Sequence, residues 1–204
     1  MKIERRPRGR PRSFDRDQAL SAAALVFWRL GYEGASIAEL TAAMGITPQS
    51  LYSAFHSKAA LYRETLDWYR ADLGVAVRDV LDSAPDAIAA IGGLLLRFAR
   101  AYTRPDRPGG CMIASGALAC AKENEAVADE VAGFRRAALA LYRDRLTRAV
   151  AEGELKADTD PGALARYVAT MIQGLSVQGH DGASEAELLV VARMAAAELE
   201  RHRA

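Results

Sequence analysis

Three groups of residues carry types and spacings suited to chemistry. Near the start of the chain Arg8, Arg10 and Arg12 alternate with Gly9 and Pro11, and arginines at this density neutralise phosphates and release the counterions of a polyanion; the alternatives are a solvated charged tail or an arm that attracts phosphate without reading sequence. A second group comprises Thr47, Gln49, Ser50, Tyr52, Ser53 and Lys58. The Gln49 amide can pair two hydrogen bonds with an adenine edge, and Ser50 or Ser53 can reach base edges or phosphate. The Tyr52 hydroxyl suits a phosphate, as does the Lys58 ammonium at the start of a helix, where unpaired N–H groups also attract anions. His56 is either a further phosphate contact or an ordinary surface histidine. Cys111 is the third feature. It follows Pro108-Gly109-Gly110, with Arg107 close in sequence, and opens a helix whose free N–H groups would stabilise a thiolate; the alternative is a buried, inert cysteine.

The elements that position these residues are helices. Apolar residues recur at helical spacing along the chain, without the sustained alternation of a half-buried strand. Leu20, Ala23, Ala24, Phe27 and Leu30 form one stripe, with Asp15 and Gln18 as a capping box and Gly31 as the closing residue. Ser36 and Glu39 cap a short second helix carrying Ile37, Leu40 and Met44, which Gly45 ends. Thr47 caps a third, with Pro48 at its first position and Leu51 and Phe55 on its core side. A fourth stripe, Tyr62, Leu66, Tyr69, Leu73, Val77 and Val80, reads as one long helix to about Ser83. Ile88, Ile91, Leu95, Phe98 and Tyr102 make the next, followed by a loop from Thr103 to Gly110. The spacing predicts a helix from Cys111 to Ala121, a long one from about Val127 to Gly153, one opened by Asp160 and Pro161, and a last one capped by Ser184 and Glu187.

The expected fold class is therefore all-α with about nine helices. A basic arm spans 1–12, a three-helix helix-turn-helix unit 13–58, and a larger helical domain 59–204, whose roles in effector binding and dimerisation are what the family resemblance described next implies. In the first twelve residues six basic side chains face one acid, whereas the whole chain of 204 residues carries a formal charge of +1, so the rest is net acidic. A short helix, a glycine turn and a helix opened by Thr-Pro form the pattern whose second helix lies in the major groove of DNA.

The run from Ile37 through Gly45-Ile-Thr-Pro-Gln-Ser-Leu-Tyr-Ser-Ala-Phe55 to Lys58 and Tyr62 closely resembles the N-terminal module of the TetR family of repressors. The resemblance is specific over about residues 14–62. It implies that Thr47, Gln49, Ser50, Tyr52, Ser53 and Lys58 lie at or near the duplex. Two departures stand out: Thr41 where alanine is commoner, and Ser53-Ala54 in place of larger side chains. The latter shift the burden of reading sequence to the arm, whose Arg-Gly-Arg-Pro core is similar to the AT-hook of narrow A·T-rich minor grooves.

The same resemblance implies a homodimer formed by the last two helices of each subunit, which would present two reading helices to a palindromic double-stranded operator. It also implies a pocket for a small effector. Trp68, Tyr69, Phe98, Tyr102, Cys111, Met112, Phe134, Tyr142, Met171 and Gln173 are the candidate lining, against the alternative of plain core. The Gly-Cys pair at Cys111 resembles a TetR subgroup, some of whose members sense oxidants or electrophiles.

Composition closes other avenues. No apolar run approaches the ~18 residues of a membrane span, so a cytoplasmic protein without membrane partners is expected. Two cysteines without a CxxC pair form neither a disulfide framework nor a zinc site, and no cofactor or metal is expected. A cysteine-dependent enzyme is the remote alternative: His56, His180 and His202 have no evident reason to meet Cys111.

Overall fold

The computed structural model describes residues 14–72 and 77–204. Arg8, Arg10, Arg12 and Leu73 lie outside the described residues. Ten α-helices and one short 3-10 turn make up the regular structure among them.

Helix α1 (Arg16–Gly34) starts where the Asp15 carboxylate accepts the N–H groups of Asp17 and Gln18. Ala19, Ala23, Phe27, Trp28 and Tyr32 are buried along it, but Leu30, expected in the same stripe, is 37% exposed. Gly31 does not end the helix as expected. It kinks it, at φ 71° and ψ 176°, and a further turn follows. Helix α2 (Ile37–Met44) has the full Ser36–Glu39 capping box and stops at Gly45 in the left-handed region, φ 65°. Thr41 is buried with its hydroxyl on the Ile37 carbonyl at 2.8 Å. Helix α3 (Pro48–Phe55) is capped by Thr47, with Leu51 and Phe55 fully buried.

Helix α4 (Lys58–Asp72) lays Leu61, Tyr62, Leu66 and Tyr69 into the core against α1. Helix α5 (Val77–Ser83) follows. In α6 (Ala87–Ala101) the buried residues Ile88, Ile91, Leu94, Leu95 and Phe98 recur every three or four positions, the spacing of a core-facing stripe. This face packs on α9 (Pro161–His180) and α10 (Glu185–Glu200). Helix α8 (Glu125–Ala151) runs along α9.

The stretch expected to be helical from Cys111 to Ala121 is mostly not. Helix α7 is a single turn, Met112–Ser115, and the next regular residues are the 3-10 turn Lys122–Asn124. A helix could continue only if the Gly116 carbonyl accepted an N–H from its own chain four residues on. That carbonyl instead accepts the Tyr32 N–H at 2.7 Å, and the Ala121 N–H is bound to the Glu33 carboxylate at 2.8 Å. Long-range hydrogen bonds to α1 thus replace the local ladder.

Among the described residues no helix is long and apolar enough to cross a membrane.

Candidate nucleic-acid interface and effector cavity

The outer face of α3 follows from its core face. Leu51 and Phe55 point inward, so Gln49, Tyr52, Ser53 and His56, spaced three and four apart, share the outer side. All four are exposed, Tyr52 at 47%. The Thr47 and Ser50 hydroxyls are 3.0 Å apart and the Thr47 oxygen also accepts the Ser50 N–H, which holds both at the helix start. Phe14 lines the concavity formed by the α2–α3 turn together with Thr41, Gly45 and Thr47. Phe14, the first described residue, therefore lies beside the start of α3.

His56 closes α3 in an uncommon way. Its φ of 68° and ψ of −45°, with the Ser57 N–H on the Phe55 carbonyl at 2.8 Å, make a γ-turn of the rare positive-φ kind. Ser57 then accepts the Ala60 N–H and starts α4. Lys58 stands apart from the outer face of α3. Its half-buried ammonium lies 4.5 Å from the centre of the Tyr32 ring. Burial lowers its pKa, against the attraction of Glu33, Cys120 and Glu39.

A cavity of about 720 Å³ opens among α4, α6, α8, α9 and the Cys111–Ala114 turn. Of the expected residues Tyr69, Phe98, Tyr102, Cys111, Phe134, Tyr142 and Gln173 line it. Three do not. Trp68 is half-buried beneath the Arg107 guanidinium, 5.9 Å from its ring centre, Met112 is sealed in the core, and Met171 faces shallow grooves between α9 and α10. Each neighbours a lining residue in sequence, and a turn of 100° per residue carries it to another side. Arg70, Arg78, Arg135, Ile113, Leu141 and Ile172 line the cavity without having been expected. Nothing in a single sequence separates an arginine over a cavity from one on a solvated face.

Cys111 is positioned by the loop before it. The Gly110 N–H bonds the Tyr102 carbonyl at 2.9 Å and the Cys111 N–H bonds the Ser176 hydroxyl at 2.8 Å. Gly110 has φ +74°, and a Cβ there would stand 2.5 Å from the Ser176 carbonyl oxygen, so the loop lies directly on the α9 backbone. The thiol is 9% exposed beside the Tyr69 and Tyr102 hydroxyls. Arg107, expected to support a thiolate, is engaged with Asp106 and Trp68. The Cβ of His180 packs on Gly110, one residue from Cys111, yet His180 is not part of the cavity wall. Burial raises the pKa of Tyr69, Tyr102 and Tyr142, so all three stay neutral phenols at physiological pH.

A short helix, a left-handed glycine turn and a second helix with a polar outer face, set on a larger helical body, define the class of helix-turn-helix transcription regulators. Comparison with known proteins agrees. Residues 19–65 match the family "Bacterial regulatory proteins, tetR family", and residues 87–180 match "Tetracyclin repressor-like, C-terminal domain". The chain is 31% identical over 196 residues to the HTH-type transcriptional repressor ComR of Escherichia coli K12, covering 92% of this chain and 90% of that protein. It is 30% identical over 194 residues to the repressor BdcR of the same strain, covering 95% and 93%. Among solved structures, a cysteine mutant of the TetR family regulator CifR in complex with a 26-base-pair operator duplex is 46% identical, with a TM-score of 0.87 over 93% of this chain and 98% of that one. The chain belongs to the TetR family of DNA-binding transcriptional regulators.

Proposed function

We propose that the protein is a cytoplasmic repressor that binds a palindromic operator as a homodimer and releases it when a small molecule fills the cavity. The observation that carries this reading is a continuity of structure. The turn that walls the cavity at Cys111, Ile113 and Ala114 runs directly into Gly116, whose carbonyl holds Tyr32 at the end of α1. A ligand that displaces the wall moves the helix on which the reading head is built. DNA affinity then falls by the ligand's differential affinity for the two states.

Gln49, Tyr52 and Ser53 supply base and phosphate contacts, with Thr47 and Ser50 at the helix start. Lys58 reaches phosphate only by leaving the Tyr32 ring. Dimerisation through α9 and α10 is supported by their outward apolar side chains: Val177, Val190, Val191 and Met194 are exposed, Met194 at 67%. The arm arginines extend the contact into the minor groove. A thermal-shift screen of metabolites and drugs, followed by operator release, tests the reading, because a ligand preferring the folded state raises stability with the logarithm of its concentration over Kd. If every stabilising compound leaves the operator complex intact, release by effector is wrong.

A second reading is favoured by the place of Cys111 in the cavity wall: an oxidant or electrophile that enters modifies the thiol and displaces the same turn. A Cys111→Ser protein should then bind operator and ignore such compounds. Release of Cys111→Ser by oxidant excludes this switch.

A further inference from the structure

The cavity carries the chemistry of its ligand. Resting on the reading of this cavity as the effector site, we infer that the effector is a hydrophobic carboxylate: an aromatic or alicyclic body with an anionic end at the arginine rim and a hydrogen-bonding oxygen at the inner end.

The inner end is set by Tyr69. Its hydroxyl is sealed just behind the cavity wall, with the Cys111 thiol and the Met112 N–H adjacent but neither in ordinary hydrogen-bond geometry, so a ligand oxygen reaches it by displacing the Cys111 turn. An unsatisfied buried hydroxyl costs free energy, and a ligand oxygen at this position removes that cost. Because burial holds Tyr69 and Tyr102 neutral, their O–H groups remain donors, which suits a carbonyl, ether or hydroxyl oxygen. Phe98, Ile113, Phe134, Leu141 and Ile172 make much of the remaining wall apolar.

The outer end is set by charge. Among the described residues Arg70, Arg78 and Arg135 line the cavity against a single acid, Asp144, and that acid is exposed and 3.5 Å from Arg143. The Arg70 guanidinium lies 4.8 Å from the centre of the Phe134 ring, and its carboxylate contact, Asp67, is an exposed one at 3.6 Å. Arg78 pairs with no carboxylate among the described residues. Arg135 is half-buried, donates to the Ile113 carbonyl at 2.9 Å and likewise meets no carboxylate there; burial depresses its pKa, as expected of a cation short of a counter-ion. A cavity lined by one sign of charge with apolar walls concentrates ligands of the opposite sign, and a guanidinium binds a carboxylate through two parallel bonds. The volume fits a drug-sized molecule.

The test is calorimetric titration of the full chain with three compounds sharing one body with a hydroxyl at its far end: 4′-hydroxybiphenyl-4-carboxylate, 4′-hydroxybiphenyl-4-carboxamide and (4′-hydroxybiphenyl-4-yl)methylamine. The carboxylate should bind at least about tenfold more tightly than the amide, the value of one charge-assisted bond, and the amine more weakly still. Arg70→Gln, Arg78→Gln and Arg135→Gln combined should erase the preference of acid over amide. Tyr69→Phe should weaken acid and amide equally and leave their ratio unchanged. Failure of the carboxylate to bind, amide or amine binding as tightly as acid, or acid preference surviving in the triple arginine variant overturns the inference. Two blocking variants separate this outcome from failure of the site itself: Ala138→Trp within the cavity, and Gln173→Trp at an exposed position on its wall, which leaves the core intact. Binding of the amine that Gln173→Trp abolishes sinks only the ligand class. Binding that neither blocking variant changes sinks both the class and the effector reading of the cavity.

Discussion

The backbone N–H of Tyr32 donates a 2.7 Å hydrogen bond to the carbonyl of Gly116, and Gly31 makes that bond possible. With φ at 71° the glycine turns Tyr32 out of the helical ladder and aims its N–H at Gly116 in the larger helical body. Two further contacts fix the same joint. The Glu33 carboxylate accepts the Ala121 N–H at 2.8 Å and the Asn124 amide at 2.9 Å, and these bonds hold its pKa below the usual value. One side of the joint is the last turn of α1, and the other continues into the wall of the cavity.

Gly31→Ala tests the joint. A Cβ at Gly31 would stand 3.1 Å from the Gly116 carbonyl oxygen, in a backbone region that disfavours side chains. Urea unfolding should show a loss of about 1–3 kcal/mol. Cavity ligands should also release operator less effectively from the variant than from the parent. Unchanged stability together with unchanged release would mean that the joint transmits nothing.

Local features of this fold were legible in the sequence because they depend on bonds within three or four residues. The caps at Ser36, Thr47, Asp160 and Ser184 are of this kind, as is the inward pairing of Leu51 with Phe55. The early end of α7 was not legible, because what ends it is Tyr32, distant in sequence. Nor was the choice between Trp68 and Tyr69 at the cavity, since both are aromatic residues on one helix and only its rotation separates them. Buried Arg145 reads from the sequence as one more solvated charge on α8.

Arg145 ties three helices together. Its Nε donates to the Leu81 carbonyl at 3.2 Å and its Nη2 to both Glu154 oxygens at 3.0 Å, while Glu154 also accepts the Ala87 N–H at 2.7 Å. Arg145 is buried but Glu154 is only partly so and can rehydrate, so Arg145→Met should cost about 1–3 kcal/mol in denaturant unfolding. Burial pushes the Glu154 carboxyl pKa up, but the Arg145 hydrogen bonds, the Ala87 N–H and the Arg145 charge outweigh it and leave it depressed. The pair therefore stabilises fully above the unfolded carboxyl pKa of about 4.3 and is lost as pH falls through the lower folded value. Glu154→Gln should flatten the stability profile in that acidic window. A profile identical to the parent's would contradict the assignment.

Gln49 and Lys58 should fail differently. Gln49→Ala should relax base preference at one operator position by about 1–3 kcal/mol. Lys58→Ala should weaken all duplexes alike and lower the salt slope by about one if its ammonium leaves Tyr32 for a phosphate. A Lys58→Ala protein with an unchanged slope assigns the lysine to the Tyr32 joint alone. Measuring binding constants over a series of salt concentrations decides between them.

Met194 is the most exposed large apolar side chain among the described residues. Met194→Glu should place a charge in the dimer contact, shift the protein to monomer in sedimentation, and weaken operator binding with helical content unchanged. A dimer that persists would locate the interface away from α10.

The central claim is that α3 reads DNA and is presented twice by paired subunits. Selection of duplexes from a random library at moderate salt tests it most directly, with the parent and Gln49→Ala proteins run side by side. The account predicts enrichment of an inverted repeat with half-site centres about one helical turn of DNA apart, and altered preference at matching positions of both halves with the variant. Enrichment of a single unrepeated site, or of no sequence over random competitor, would contradict it.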